Sequence, residues 1–404
     1  MPAAALPTPS GPLKFEAFDG LRAVAATLVI AYHVSLFEGL THAGVLASLA
    51  SELKGGVTVF FVISGFLLYL PYARAIRDGD PLPSWRSYAR RRAVRILPGY
   101  WVALTILGVA SLAGSVFTGA WWSYYGLAYI YNPATLIGGL GVSWSLCVEA
   151  TFYLCLPFFA RWMAALVRRD GTADAARSQV AVVGALGLVS ILLRGAVCDS
   201  LIGPVSPTGA VLETALPGAL DWFAIGIALA VIAAAWETSP ERFRPVSRLA
   251  ANWPLSWALA GVLYAVGARE QQGDLFLPLY GVFTHVALGL ASAFLVLPAI
   301  RRGPRTGAVR ILSTRFVAWL GMISYGVYLW HDSVLKILKG SGAPPSHAAG
   351  IGQAIVLFLA TAAGAIVLGA GSWYLVERPA QRLFRRRRPG PGVAIARKPG
   401  LTQT

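Results

Sequence analysis

Arg22 and His33 stand eleven residues apart in one apolar stretch that runs from Phe18-Asp19-Gly20-Leu21-Arg22 to Ala31-Tyr32-His33. At about 3.6 residues per turn this spacing makes three turns, so on a helix the two side chains share a face, roughly 16 Å apart along the axis. They suit different chemistry. A guanidinium fork grips phosphate bidentately, whereas an imidazole moves protons near neutral pH. Ionisable groups are costly inside an apolar helix, which marks the pair as functional. Arg90-Arg91-Arg92 and Arg95 form a second basic set, and Glu149 and His331-Asp332 also interrupt apolar runs. Counting from the expected helix ends at 1.5 Å per residue predicts that His33, Glu149 and His331 reach similar depth. Arg22, Arg92 and Arg95 then form the opposite pole. A ligand with a phosphate-rich head and a long thin arm, as in coenzyme A, spans two such poles. The five histidines, His33, His42, His285, His331 and His347, show no metal-ligand spacing, and no metal is expected. His42, His285 and His347 are expected to be structural or solvent-facing, and Asp332 to cap its helix or pair with Lys336 at i+4.

The elements that must hold these groups are membrane helices. The chain is 56% hydrophobic and 13% charged, against about 25% charged residues in a soluble domain. Apolar windows predict ten helices, at 19–38, 56–73, 96–115, 143–167, 179–197, 214–236, 254–268, 275–300, 316–338 and 349–376. The fold class expected is an all-α membrane protein, a single bundle with no convincing internal repeat. Trp121-Trp122 to Tyr131 is too short to span and reads as an interfacial or re-entrant segment. With the amino terminus inside and strict alternation, 27 basic residues fall on the inner side and five on the outer. That asymmetry obeys the positive-inside rule and predicts two cytoplasmic termini in a cell membrane. The net charge of +16 is thereby topological, with Arg385-Arg386-Arg387-Arg388 attracted to anionic lipid and no nucleic-acid partner expected.

The expected organisation is a disordered tail over 1–14, a transmembrane domain over 15–384 and a basic Pro/Gly-rich tail over 385–404. The first apolar segment carries Arg22 and His33 and so reads as a retained helix, not a cleaved signal. Cys147, Cys155 and Cys198 make no CxxC pair; Cys147 and Cys155 are expected in the core.

Six stretches, in order, then carry a likeness. They are Phe18-Asp19-Gly20-Leu21-Arg22 with its spacing to His33; Gly55-Gly56-Val57 with Phe60-Phe61-Val62-Ile63-Ser64-Gly65-Phe66-Leu67; Arg92-x-x-Arg95-Ile96-x-Pro98; Trp144-Ser145-Leu146-x-Val148-Glu149; Ser324-Tyr325-Gly326-x-Tyr328-Leu329-Trp330-His331; and Glu377-Arg378-Pro379. From about Phe15 to Pro379 the chain resembles the acyltransferase 3 family of integral-membrane O-acyltransferases. The resemblance implies transfer of an acyl group, most often acetyl, from cytosolic acyl-CoA to a hydroxyl of a sugar, glycan or glycosylated natural product. It implies that His33 is catalytic and that Arg22, Arg92 and Arg95 hold the donor.

On this basis His33 is expected to act as general base on the acceptor hydroxyl. Glu149 is expected to orient an imidazole, and His331 or a backbone N–H to stabilise the oxyanion. An acyl-histidine relay is a second route. Gly55-Gly56 and Gly65 are expected to leave room for a narrow donor arm, although small residues also let membrane helices pack closely. Two other classes fit the residues alone: a transporter or flippase with a His33/Glu149 proton relay, and a non-catalytic partner of a glycan synthase. The arginine pole separates the enzyme from the transporter.

Overall fold

The computed structural model describes residues 16–40, 44–136, 138–170, 175–199, 207–269, 280–301, 307–340 and 350–386. The 1–14 tail, all but the first two residues of the 385–404 tail, His42 and His347 lie outside the described residues, as does the side chain of Cys198. Ten long helices correspond to the ten apolar windows: α1 Glu16–Phe37, α2 Gly56–Asp78, α3 Trp85–Val109, α4 Trp144–Asp170, α5 Ala175–Asp199, α6 Leu220–Thr238, α7 Trp253–Arg269, α8 Tyr280–Ile300, α9 Arg315–Lys339 and α10 Ile351–Ser372. No β-strand forms among the described residues. Eight helical segments are long and apolar enough to cross a bilayer. Trp253–Ala268 within α7 joins them only together with the preceding helical residues Pro240–Ala251, across a bend of 74°. α9, 25 residues long, is not among the eight. Ser324, Tyr325, Tyr328, His331 and Asp332 add polarity to it, and it is packed between α1 and α10.

Three boundaries differ from the apolar windows by six residues or more. α3 begins at Trp85, eleven residues before the window, because the arginine-rich run Arg86–Arg95 is good helix former and needs no bilayer around it. It ends at Val109, just before Ser111 takes a left-handed φ of 58°. α6 begins at Leu220; the expected start at Thr214 belongs to a separate short helix, Pro207–Thr214, and Pro217 breaks the chain between them.

Close helix crossings are set by glycine. α2 and α6 meet at Gly65 and Gly226, where an added Cβ would stand 2.4 Å from Phe223 O and 2.2 Å from Val62 O. Gly56 meets the Ala25 carbonyl of α1 in the same way. These glycines therefore hold backbones together and leave no room for a donor arm, against the expectation from the sequence. The outward faces are apolar: Leu154, Phe158, Leu188, Leu192, Val356 and Val367 are all exposed, as befits a bundle whose solvent is lipid. Cys147 is buried, but Cys155 lies on such an outward face and is not a core residue. Trp121–Tyr125 forms one short helix that returns to α3. Tyr100 and Trp101 donate to the carbonyls of Tyr124 and Tyr125 at 2.7 and 2.9 Å, while Trp121 and Trp122 point outward.

One buried hydrogen-bonded pair ties α5, α6 and α8 together. His285 Nε2 lies 2.9 Å from Asp221 Oδ1, which also accepts from Ser190 Oγ at 3.2 Å. The imidazole stacks on Trp222 at 4.0 Å. His285→Ala would leave a buried carboxylate short of its partner at a cost of about 3–5 kcal/mol. We expect a lower unfolding midpoint in detergent, partly restored by adding Asp221→Asn, with turnover per folded molecule unchanged.

Candidate active site

Two sites are built at different levels of α1, one around Arg22 and one around His33. The first is a cavity of about 280 Å³ between α1, α2, α3, α4 and α9. Arg22, Arg92 and Arg95 line it, the latter two one turn apart on α3, together with Glu149, Ser64 and Tyr153. Arg22 Nη1 contacts Asp19 Oδ1 at 3.1 Å. Neither Arg92 nor Arg95 has an ion pair among the described residues, and Arg92 Nε is buried without a hydrogen-bond partner. Three guanidiniums thus face a cavity whose lining supplies a single carboxylate. A site with that imbalance in a poorly solvated interior attracts an anion.

The single carboxylate is Glu149. The structure places it here and not beside the histidines. Its Oε1 accepts a short hydrogen bond from Ser64 Oγ, and Tyr153, one turn along α4, hydrogen-bonds the same carboxylate. The expectation that Glu149 orients an imidazole therefore does not hold. Depth counting failed because it fixes height along each helix only to within a turn or two and gives no azimuth.

The second site is a pair of histidines. The rings of His33 and His331 meet edge to face at 4.9 Å, with His331 Nε2 3.2 Å from His33 Nδ1. Each Nδ1 also faces a backbone carbonyl: Val29 O at 2.9 Å from His33 and Tyr328 O at 2.7 Å from His331. A carbonyl can only accept, so both Nδ1 atoms carry hydrogen. His331 Nε2 then holds a lone pair and accepts from His33 Nδ1–H, which is shared with Val29 O. His33 Nε2 is left with a free lone pair on the half-buried ring, whereas His331 is fully buried. Both nitrogens of His331 are engaged, so it has no N–H to offer an oxyanion. Its contact is instead with the His33 ring. Asp332 pairs with Lys336 at 2.8 Å, the i+4 partner expected.

Tyr328 joins the two sites. It lines the arginine cavity, and its ring centroid lies 5.7 Å from His331 and 6.0 Å from Phe60, a second lining residue. Its hydroxyl donates to Val142 O at 2.6 Å and bonds Ser145 Oγ at 2.7 Å, which pins the ring. The sequence motifs contain Ser64, Tyr325 and Tyr328 without indicating a role for them. Tyr153 was findable, since it stands four residues from Glu149 on a helix. Among the described residues no group of three or more His, Cys, Asp or Glu side chains is placed to hold a metal ion.

This chain belongs to the acyltransferase 3 family, whose acyltransferase domain matches residues 15–370. With eight helical segments long and apolar enough to span among the described residues, it is a multi-pass membrane acyltransferase. It is 28% identical to acyltransferase MdmB of Streptomyces mycarofaciens, across 97% of this chain and 98% of that protein. It is 27% identical to the exopolysaccharide production protein ExoZ of Rhizobium meliloti, across 84% and 93%. It is also 24% identical to the peptidoglycan O-acetyltransferase OatA of Listeria monocytogenes over 79% of this chain, which spans about half (49%) of that protein. No solved structure matches the chain.

Proposed function

We propose that the protein transfers an acyl group, acetyl in the first instance, from cytosolic acyl-CoA to a hydroxyl of a sugar, a glycan or a glycosylated natural product. The observation that carries the donor half is the arginine cavity, with three guanidiniums against one lining carboxylate. CoA is the abundant acyl carrier whose phosphates suit such a clamp and whose arm is thin. The acceptor half rests on relatives named for peptidoglycan and exopolysaccharide. The positive-inside asymmetry of the sequence supports placing the arginine end and both termini at the cytoplasmic face of the cell membrane.

His33 Nε2 takes the proton of the acceptor hydroxyl as its oxygen attacks the thioester carbonyl carbon. The C–S bond breaks, and the proton passes from the imidazolium to the departing thiolate. His331 holds the ring in the tautomer that leaves Nε2 basic. Arg22, Arg92 and Arg95 hold the donor phosphates, with Glu149 fixing Ser64 and the cavity wall. The thioester must pass Phe60 and Tyr328 to reach His33. Tyr328 is pinned by two hydrogen bonds, so Phe60 is the ring that gives way.

Equilibrium binding of CoA to the purified protein in detergent tests the reading. We expect binding that adenosine 3′,5′-bisphosphate displaces and that weakens as salt screens the arginines. A protein that binds no CoA yet carries a solute with protons into proteoliposomes would be a transporter.

A further inference from the structure

The last helix does not run straight out of the bundle. After α10 the chain makes one π turn, Trp373–Glu377, and then a short helix, Arg378–Arg386. A π turn inserts an extra residue and is seldom kept without a use. Here it brings Glu377 inward, and the residue is 2% exposed. Ser372 Oγ donates to its Oε1 at 3.0 Å. The carboxylate lies against α3 at Gly99, where an added Cβ would be 3.3 Å from Oε1 and 3.1 Å from the Tyr325 ring. Gly99 is one turn beyond Arg95 on the same face, and a side chain there would crowd the carboxylate. Among the described residues Arg95 has no ion pair; Glu377 lies beyond ion-pair distance of it and acts on it through space. Farther along the same short helix, Phe384 packs under the Arg90 guanidinium at 4.2 Å. The segment therefore clasps the part of α3 that carries Arg92 and Arg95. A buried carboxylate in an apolar helix is expensive to maintain, and nothing in the acyl-transfer chemistry uses this one.

We propose that Glu377 is a positioning residue for the donor site: it stands behind Arg95 and holds that guanidinium toward the cavity. This inference rests on the reading of the arginine cavity as a donor-phosphate site. The Glu377 carboxyl provides a fixed polar partner on the side away from the ligand, so Arg95 stays aimed when the cavity is empty. Without it Arg95 swings among rotamers, and each donor molecule must order it again.

The test is CoA affinity and steady-state kinetics for Glu377→Gln, Glu377→Asp, Arg95→Ala and the double variant Arg95→Ala/Glu377→Gln, with thermal unfolding of each. Glu377→Gln should raise the CoA Kd and the donor KM at least fivefold, with kcat at saturating donor within twofold of wild type. Glu377→Asp should fall between the two. In the Arg95→Ala background the second substitution should change nothing further. An unchanged Kd in Glu377→Gln overturns the inference, as does an equal loss with and without Arg95. So does failure of both Glu377 variants to fold, because the group would then be structural. If Arg95→Ala itself leaves CoA binding intact, the donor-site reading fails first, and the two failures are distinguishable.

Discussion

Replacement of His33 by alanine should lower kcat by about 10²–10⁴-fold, the usual contribution of a positioned general base, while donor affinity stays within a few-fold of wild type. The separation follows from the geometry: the His33 ring does not line the arginine cavity, so its loss leaves the donor contacts whole. His331→Ala should cost less, because His33 keeps its Nδ1 bond to Val29 O and loses only one of two restraints on the ring. His331→Gln, whose side-chain oxygen can accept from His33 Nδ1–H, should recover part of that loss. Single-turnover kinetics with labelled donor give both numbers. Equal losses for His33→Ala and His331→Ala would mean that the two rings act as one catalytic unit and not as base and support.

Arg92→Ala should show the opposite signature, a donor KM raised about 10- to 100-fold with kcat nearly unchanged. A hydrogen bond to a charged group is worth about 1.5–3 kcal/mol, and 1.4 kcal/mol is tenfold. Arg92 has a buried Nε without a partner and no ion pair among the described residues, so its charge is available to a ligand. Arg92→Lys should lie between, since lysine keeps the charge but not the bidentate fork. Arg90 and Arg91 are exposed, with Arg90 over Phe384 and Arg91 bonded to Ser87, and their alanine variants should leave donor KM within twofold. A kcat loss without a KM change in Arg92→Ala would place the residue in the chemistry instead.

Much of the fold was legible because the solvent is lipid. Each of the ten apolar windows corresponds to a long helix, and eight helical segments among the described residues are long and apolar enough to cross a bilayer, where a backbone in hydrocarbon must bond to itself and helices do so locally. The ends were less legible. α3 starts eleven residues before its window because arginines extend a helix beyond the apolar layer. α6 starts late because Pro217 interrupts a run that hydropathy alone reads as continuous. The meeting of His33 with His331 could be anticipated from their similar depth on two helices. The place of Glu149 could not, because which face α4 turns toward α2 depends on the packing of Ser64 and Tyr153. The π turn that brings in Glu377 leaves no periodic signal, being a single added residue at the end of an apolar helix. Asp221 and His285 are 64 residues apart in the chain, and only the pairing of α6 with α8 reveals them as partners.

In the proposed reaction His33 acts as the base while an acyl group moves from a CoA thioester held by the arginine cavity to an acceptor hydroxyl. The most direct test incubates purified wild type and His33→Ala in detergent with radiolabelled acetyl-CoA and a panel of sugars and glycosylated lactones, and follows the label. Label is expected on an acceptor oxygen with wild type, and none with a His33→Ala protein that is folded and still binds CoA. Wild type that neither binds nor consumes an acyl-CoA, or a His33→Ala variant that transfers label at the wild-type rate, would contradict that reaction.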